Sequence, residues 1–261
     1  MFARLLPAAA LLSVWALLAS APAAPAKLKV YLIGDSTMSI KEVKAYPETG
    51  WGMPFAAFFD ETVTVDNRAQ NGRSTKSFIA ENRWQPVVSE LHEGDYVFIQ
   101  FGHNDEVPTK RNYTPEPDFV ANLKRFVSEA RSHKAQPVLL TPVARRKFDS
   151  AGKVEETHKA YAELVRVVAH DTNTPLIDLD ARSQELLQQF GVENSKLLFN
   201  FLAPGEHPNY PDGREDNTHF NELGARRMAE LVLVDIRALK LGLADHLAQG
   251  AVKKTVDPQA R

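Results

Sequence analysis

The stretch Leu28-Lys29-Val30-Tyr31-Leu32-Ile33 runs directly into Gly34-Asp35-Ser36-Thr37, and this junction decides the fold class. The first six residues are mostly apolar, β-branched or aromatic, which predicts a buried strand, and the glycine and short polar residues after them predict its end. Similar runs follow at 63–66, 96–101, 137–140 and 175–178. Helix-period segments lie between them. This alternation predicts an α/β fold, a three-layer α/β/α sandwich with a central, mostly parallel, five-stranded sheet.

Three segments have apolar residues at helical spacing. The shared faces are Phe119, Val120, Leu123, Phe126, Val127 and Ala130 in the first, Tyr161, Leu164, Val165 and Val168 in the second, and Leu223, Met228, Leu231, Val232 and Ile236 in the third. Such stripes predict amphipathic helices whose apolar faces cover a sheet.

The first 26 residues have the pattern of a signal peptide. Arg4 supplies a positive charge, residues 5–18 are mostly apolar, and Ala24-Pro25-Ala26 is a candidate cleavage site. An uncleaved membrane anchor is the alternative, but the stretch is shorter than the roughly 20 apolar residues of a span and contains Pro7. We therefore expect one α/β domain over 27–245 and a polar tail over 246–261. We also expect a bacterial protein that is exported to the periplasm or beyond, and that is monomeric and free of the membrane after cleavage.

Composition excludes several functions. The 31 Lys and Arg residues are balanced by 33 Asp and Glu residues, so the basic excess of a nucleic-acid-binding protein is missing. The chain has no cysteine, which excludes a thiol nucleophile, a thiolate metal site and any disulfide. An anionic polymer would have to be bound by a local basic patch, because the formal net charge is -2.

Three of the predicted strands end in polar sequences that suggest a site. The first ends at Gly34-Asp35-Ser36, the second leads to Asn71-Gly72-Arg73-Ser74, and the third ends at Gly102-His103-Asn104-Asp105. Ligands of parallel α/β sheets bind at the carboxyl ends of the strands. If these strands are adjacent and parallel, the three loops meet at one edge.

Ser36 and the string Asp216-Asn217-Thr218-His219 contain the parts of a Ser-His-Asp system. A serine needs a base to become a nucleophile, and a carboxylate three residues before a histidine on a helical turn can fix the imidazole tautomer. Two other interpretations stay open: Ser36 as a helix N-cap, and Asp216–His219 as an ordinary pair at a helix start. A cation site formed by His207, Asp212, Asp216 and His219 is a further alternative, without a metal-binding spacing to support it.

Gly72 and Asn104 offer donors for an oxyanion. Glycine allows close approach of the backbone N–H, and the Asn104 amide carries an NH₂ group. Asn-Gly is also a common turn, and an asparagine in a loop often bonds its own backbone. His103, beside Asn104, is expected to be structural or to face a substrate rather than to react.

Taken together, these blocks resemble the SGNH (GDSL-type) hydrolase superfamily, whose fold is flavodoxin-like. The four signature blocks are Gly34-Asp35-Ser36, Gly72, Gly102-His103-Asn104-Asp105 and Asp216-Asn217-Thr218-His219, and the resemblance covers nearly the whole chain from Lys29 to about Leu239. No G-x-S-x-G elbow is present, which argues against an α/β-hydrolase. Further strings are similar to rhamnogalacturonan acetylesterases, namely Gly50-Trp51-Gly52, Asn71-Gly72-Arg73-Ser74-Thr75-Lys76-Ser77, Thr141-Pro142-Val143-Ala144-Arg145-Arg146 and Asp216-Asn217-Thr218-His219-Phe220.

The resemblance implies a role for each block. Ser36 would be the nucleophile, His219 the base and Asp216 its partner, while Ser36, Gly72 and Asn104 would form the oxyanion hole. The implied activity is removal of acetyl groups from plant cell-wall polysaccharide, without a cofactor or a metal.

The loop residues bear on the choice of substrate. Arg73, His103 and Arg145 are candidate substrate-binding residues. The basic loop residues either meet uronate carboxylates or are solvated charges, and they are Arg73, Lys76, Arg145, Arg146 and Lys147. The segment Glu106–Pro117 is rich in charge and proline and departs from the family pattern. A broader esterase or lipase, a xylan acetylesterase and a non-catalytic carbohydrate-binding protein are the alternatives.

Overall fold

A computed structural model describes residues 27–248; the predicted signal peptide and the rest of the predicted tail, 249–261, lie outside the described residues. All five predicted strands form one parallel sheet with the order β2-β1-β3-β4-β5. The strands are β1 (Leu28–Gly34), β2 (Val63–Asn67), β3 (Tyr96–Gln100), β4 (Gln136–Leu140) and β5 (Leu176–Ile177). This flavodoxin-like order reverses direction beside β1, where open α/β sheets form their ligand crevice.

Helices cover both faces of the sheet, as predicted. They are α1 (Gly52–Phe55), α2 (Thr75–Ala80), α3 (Trp84–Glu90), α4 (Glu116–Ser132), α5 (Lys159–Asp171), α6 (Leu179–Asn194, broken at Gly191) and α7 (Glu222–Ala238). Alternate β1 residues divide between two cores: Val30 and Leu32 pack on the side of α1, α6 and α7, and Tyr31 and Ile33 on the side of α2 to α5. The period of two along a strand makes this division, and it requires β1 to be apolar throughout.

A second, two-stranded antiparallel sheet was not predicted. It pairs β6 (Phe199–Leu202) with β7 (Arg214–Phe220), and Phe199 lies opposite Phe220. Its signal in the sequence is weak because β7 reads Arg-Glu-Asp-Asn-Thr-His-Phe, which is almost wholly polar. This strand nevertheless contains Asp216 and His219.

One local prediction is wrong. Leu223, expected on the buried face of its helix, is 46% exposed, because α7 buries Ala225 and Ala229 instead. Small residues there allow close packing and fall outside a pattern built on large apolar side chains.

The C-terminal contacts extend past the last helix. A 3₁₀ helix spans Gly242–His246, Leu247 forms a bridge with Phe59, and the N–H of Ala248 donates to the carbonyl of Phe58 at 2.9 Å. Among residues 27–248, no helix is both long and apolar enough to span a membrane.

Candidate active site

Ser36 lies in a tight turn at the end of β1, and no helix starts there, so the N-cap interpretation is wrong. The carbonyl of Asp35 accepts from the N–H groups of Met38 and Ser39, at 3.3 and 3.1 Å. The Asp35 carboxylate, fully buried, accepts from the N–H and the hydroxyl of Thr37, at 2.9 and 2.8 Å. Asp35 therefore shapes the turn.

The turn is also fastened to the neighbouring strand. Gln100, at the end of β3, donates to the hydroxyl of Thr37 at 2.7 Å and accepts from the Trp51 indole at 2.6 Å. A Cβ on Gly34 would lie 2.6 Å from the Gln100 carbonyl oxygen. Only glycine permits this approach of backbones, and it places the 9% exposed Ser36 at the sheet edge.

The three residues of the predicted triad are in hydrogen-bond contact, although 183 positions separate Ser36 and His219 in the chain. The distance from Ser36 Oγ to His219 Nε2 is 3.0 Å, and that from His219 Nδ1 to Asp216 Oδ2 is 2.9 Å. With the Nδ1 proton directed to the carboxylate, Nε2 is free to accept the serine proton.

Asp216 and His219 are not on a helical turn, so that prediction is wrong. Both belong to β7, and the Asp216 Oδ1 accepts from the backbone N–H groups of Thr218 and His219, at 2.8 and 3.0 Å. The carboxylate thus accepts the backbone N–H groups that a backbone carbonyl would accept in a helix. This side-chain turn brings the His219 imidazole within hydrogen-bond distance of Asp216 Oδ2.

A guanidinium completes the surroundings of Asp216. Arg214 Nη2 donates to Asp216 Oδ2 at 2.8 Å, from two residues earlier on the same strand. Burial acts to raise the pKa of Asp216, but the hydrogen bonds and charges of His219 and Arg214 outweigh it and hold the pKa well below its ordinary value. Asp216 is therefore a carboxylate throughout the neutral range.

Gly72 and Asn104 lie on the loops after β2 and β3, as expected. Gly72 has φ +73°, and a Cβ there would meet no atom within 4 Å, so the glycine serves the backbone conformation and not the packing. Asn104 Nδ2 donates to the Arg73 carbonyl at 3.1 Å, which joins the two loops. Within residues 27–248, the N–H groups of Ser36 and Gly72 make no hydrogen bond.

The segment Glu106–Pro117 is hydrogen-bonded to the loops that contain Gly72 and Asn104. Asn112 Nδ2 donates to the Gly72 carbonyl at 2.6 Å, and the N–H of Thr114 donates to the Asp105 carbonyl at 3.0 Å. The Asp105 carboxylate accepts from the N–H and the hydroxyl of Thr75, at 2.9 and 2.6 Å. Burial raises the pKa of Asp105 to about 7.

Arg73 and His103 have partners within the protein. Arg73 Nε contacts Glu81 at 2.9 Å, and its side chain is 28% exposed. His103 is 3% exposed, and its ring packs edge-on against the His158 ring, with centroids 4.2 Å apart. Burial, together with the charges of nearby residues, lowers the pKa of His103, which therefore stays neutral near pH 7.

Arg145 joins two of the site loops. Nη1 donates to the Thr218 hydroxyl at 2.9 Å, and Nη2 contacts the His103 carbonyl at 3.3 Å and Glu106 at 3.4 Å. It therefore connects the Asn104 loop with the strand that contains His219.

The alternative cation site is not assembled as the sequence suggested. In the part of the chain that the structure describes, the ligand atoms of Asp216 and His219 lie within 4.8 Å of Glu48, and His207 and Asp212 are not in that group. Sequence reasoning missed Glu48, Lys41 and Arg214. Arg214 had a signal, since residues i and i+2 of a strand share a face, whereas Lys41 and Glu48 had none.

The chain matches the model of the GDSL-like Lipase/Acylhydrolase family over residues 32–227. It is 44% identical to the rhamnogalacturonan acetylesterase RhgT of Bacillus subtilis (strain 168), over 88% of this chain and 98% of the relative. It is 42% identical to a rhamnogalacturonan acetylesterase of Emericella nidulans, over 84% of this chain and 89% of the relative.

Solved structures share the fold. The crystal structure of protein YxiM of Bacillus subtilis superposes with a TM-score of 0.71 at 24% identity, and the match spans 83% of this chain but 58% of that one. Axe2, an acetylxylan esterase from Geobacillus stearothermophilus, has a TM-score of 0.57 at 19% identity, over 81% of this chain and 94% of that one. With the sheet order, the serine turn and the full-length relatives in agreement, the chain belongs to the GDSL-like lipase/acylhydrolase family, the SGNH hydrolases of the sequence resemblance.

Proposed function

We propose that this chain is an exported carbohydrate O-acetylesterase that removes acetyl groups from rhamnogalacturonan by Ser-His-Asp acyl transfer. The observation that carries the proposal is the hydrogen-bonded series Ser36–His219–Asp216, at 3.0 and 2.9 Å. Beside it lie the N–H groups of Ser36 and Gly72, which bond to nothing in the described part of the chain. The two relatives above 40% identity, both named rhamnogalacturonan acetylesterases, support the substrate.

In the first step, Ser36 Oγ attacks the acetyl carbonyl carbon while its proton passes to His219 Nε2. The carbonyl oxygen becomes an oxyanion, and the N–H groups of Ser36 and Gly72 and the Asn104 amide donate to it. The intermediate then collapses, the C–O bond to the sugar breaks, and His219 protonates the departing hydroxyl.

In the second step, water replaces the sugar. His219 takes a proton from the water, which attacks the acetyl-serine, and collapse of the new intermediate releases acetate and returns the proton to Ser36. Asp216 holds the imidazole tautomer and stabilises the imidazolium in both steps. The Asp216 carboxylate is held in position for this role by its hydrogen bonds to the His219 ring, the His219 backbone and Arg214.

Of Arg73, His103 and Arg145, the three candidate substrate-binding residues, we propose Arg73 as a substrate contact. Arg73 keeps part of its side chain exposed, which suits a uronate carboxylate. Arg145 and His103 instead support the loops, by their bonds and ring packing, and we assign them to shaping the pocket.

The direct test is acetate release from acetylated rhamnogalacturonan, homogalacturonan and xylan, with Ser36→Ala as the control. We expect fastest release from rhamnogalacturonan and none from the variant. Acetate release from xylan alone would contradict the proposed substrate, and full activity of Ser36→Ala would contradict the proposed mechanism.

Two assays separate the alternatives. A preference for octanoyl over acetyl esters would indicate a lipase-type esterase, and failure of a serine-directed phosphonate to label Ser36 would indicate a non-catalytic binding protein. Export is tested by N-terminal sequencing of the protein recovered from culture fractions, which we expect to begin near Lys27, and the monomer by its mass in solution.

A further inference from the structure

Lys41 has a fully buried side chain next to the two loops that contain Ser36 and Gly72. Its Nζ donates to the Ser36 carbonyl at 2.5 Å and to Asn71 Oδ1 at 2.8 Å, and lies 2.8 Å from Glu48 Oε1. An ammonium has three protons, so these three acceptors use every donor that Lys41 has.

Stability alone does not account for this arrangement. Burial of an ammonium is unfavourable, and a buried ion pair is often no more stabilising than apolar side chains of the same size. Burial lowers the pKa of Lys41, whereas Glu48 acts to raise it. A methionine would fill the same space without this cost, so the donors themselves point to a role in geometry.

Two of the three acceptors belong to the loops that offer backbone N–H groups to an oxyanion. Ser36 provides one directly. Asn71 precedes Gly72, and the Gly72 N–H belongs to the peptide that joins the two. Ser39 also donates to Asn71 Oδ1, at 2.5 Å. Gly72 has no side chain to fix its position. The bonds to Asn71 therefore hold the loop from one side, and the bonds of Asn112 to the Gly72 carbonyl and of Asn104 to the Arg73 carbonyl hold it from the other.

We propose that Lys41 is a positioning residue, which holds the N–H groups of Ser36 and Gly72 at the separation that the oxyanion of acyl transfer requires. The proposal rests on the acyl-transfer mechanism proposed above and is independent of which sugar carries the acetyl group. Lys41 touches neither substrate nor reacting atoms.

The test compares three variants with the parent on 4-nitrophenyl acetate and with a serine-directed phosphonate. Lys41→Met combined with Glu48→Gln removes the donors without leaving a buried carboxylate unpaired. Asn71→Ala removes the oxygen that accepts from Lys41 and Ser39. Asn71 is exposed, so its side chain contributes little to the core. Lys29→Met is the matched control, because Lys29 is a partly buried, ion-paired lysine at the opposite end of β1.

We expect kcat to fall about 10- to 100-fold in the first two variants, with KM within about threefold, because displaced donors cost less than the 10²- to 10³-fold of a lost donor. The rate of phosphonate labelling should fall in parallel, since that reaction forms the same type of oxyanion. Lys29→Met should lower the unfolding temperature and leave kcat unchanged.

A kcat within threefold of the parent in Asn71→Ala, or in a folded Lys41→Met/Glu48→Gln protein, would overturn the proposal. So would a loss confined to KM. If the double variant does not fold, Asn71→Ala decides the question. The proposed substrate fails separately: a parent that hydrolyses the aryl acetate but releases no acetate from pectin contradicts the sugar and leaves the Lys41 test intact.

Discussion

The Asp216→Asn variant gives the sharpest test of the triad. The Asp216 carboxylate accepts four hydrogen bonds, and an amide has only one oxygen with which to accept them. Oδ1 accepts from two backbone N–H groups, and Oδ2 accepts from His219 Nδ1 and from Arg214 Nη2. An amide must direct its NH₂ group at one of these sets. If it faces the imidazole, Nδ1 becomes the acceptor and the ring proton moves to Nε2.

That tautomer directs its proton at Ser36 Oγ and cannot serve as the base. We expect kcat to fall by about 10⁴-fold, the cost of a wrong tautomer in a serine hydrolase. At about 1.36 kcal/mol per factor of ten, the barrier rises by about 5.4 kcal/mol.

The assay is acetate release under saturating substrate, with Ser36→Ala as the floor. Asp235→Asn is the matched control: Asp235 is also buried, and it pairs with Arg182 at 2.7 Å between α6 and α7, away from the site. We expect this control to lose stability and keep its kcat. An Asp216→Asn enzyme within tenfold of the parent would refute the tautomer argument.

Three further predictions concern the oxyanion, the packing and the pH response. Asn104→Ala should lower kcat by about 10²- to 10³-fold with little change in KM; an unchanged kcat would remove Asn104 from the oxyanion hole. Gly224→Ala should destabilise the fold by about 3 kcal/mol in urea unfolding, because its Cβ would lie 1.8 Å from the Leu198 carbonyl oxygen; a cost below about 1 kcal/mol would contradict this contact. Burial raises the pKa of Asp105 to about 7, above the roughly 3.9 of an unfolded chain, so its contribution to stability falls as pH rises from about 4 to about 7. Urea unfolding at pH 4.5 and 7.5 should show this slope reduced in Asp105→Asn, and equal slopes would count against it.

The sheet was predictable because strands buried on both faces must be apolar throughout. Tyr96 to Ile99 and Val30 to Ile33 have that composition, and the short runs with helices between them permit little but parallel pairing. The polar strand β7 was not predictable in this way. Its Asp216 and His219 suggested a helical turn by their spacing, and the side-chain turn that holds them leaves no periodic pattern.

The cationic side chains of the site show the same limit of prediction from sequence. Arg145 was expected to meet a substrate, and its bond to Thr218 depends on a strand 73 positions away in the chain. The burial of Lys41 could not be predicted, because a lysine in a polar segment has the pattern of a solvated residue. Its contacts with Glu48 and Asn71 exist only in the folded chain.

The sequence alone determined the sheet and the family resemblance, because each depends on composition or on short strings of neighbours, and through that resemblance it gave Ser36, His219 and Asp216 their proposed roles. Only the tertiary structure decided the 3.0 Å approach of Ser36 to His219, the hydrogen bond from Arg145 to Thr218 and the burial of Lys41 between two loops. These distances depend on how the loops at the sheet edge pack on one another. Contacts across such separations arise when the chain folds back on itself and have no local pattern.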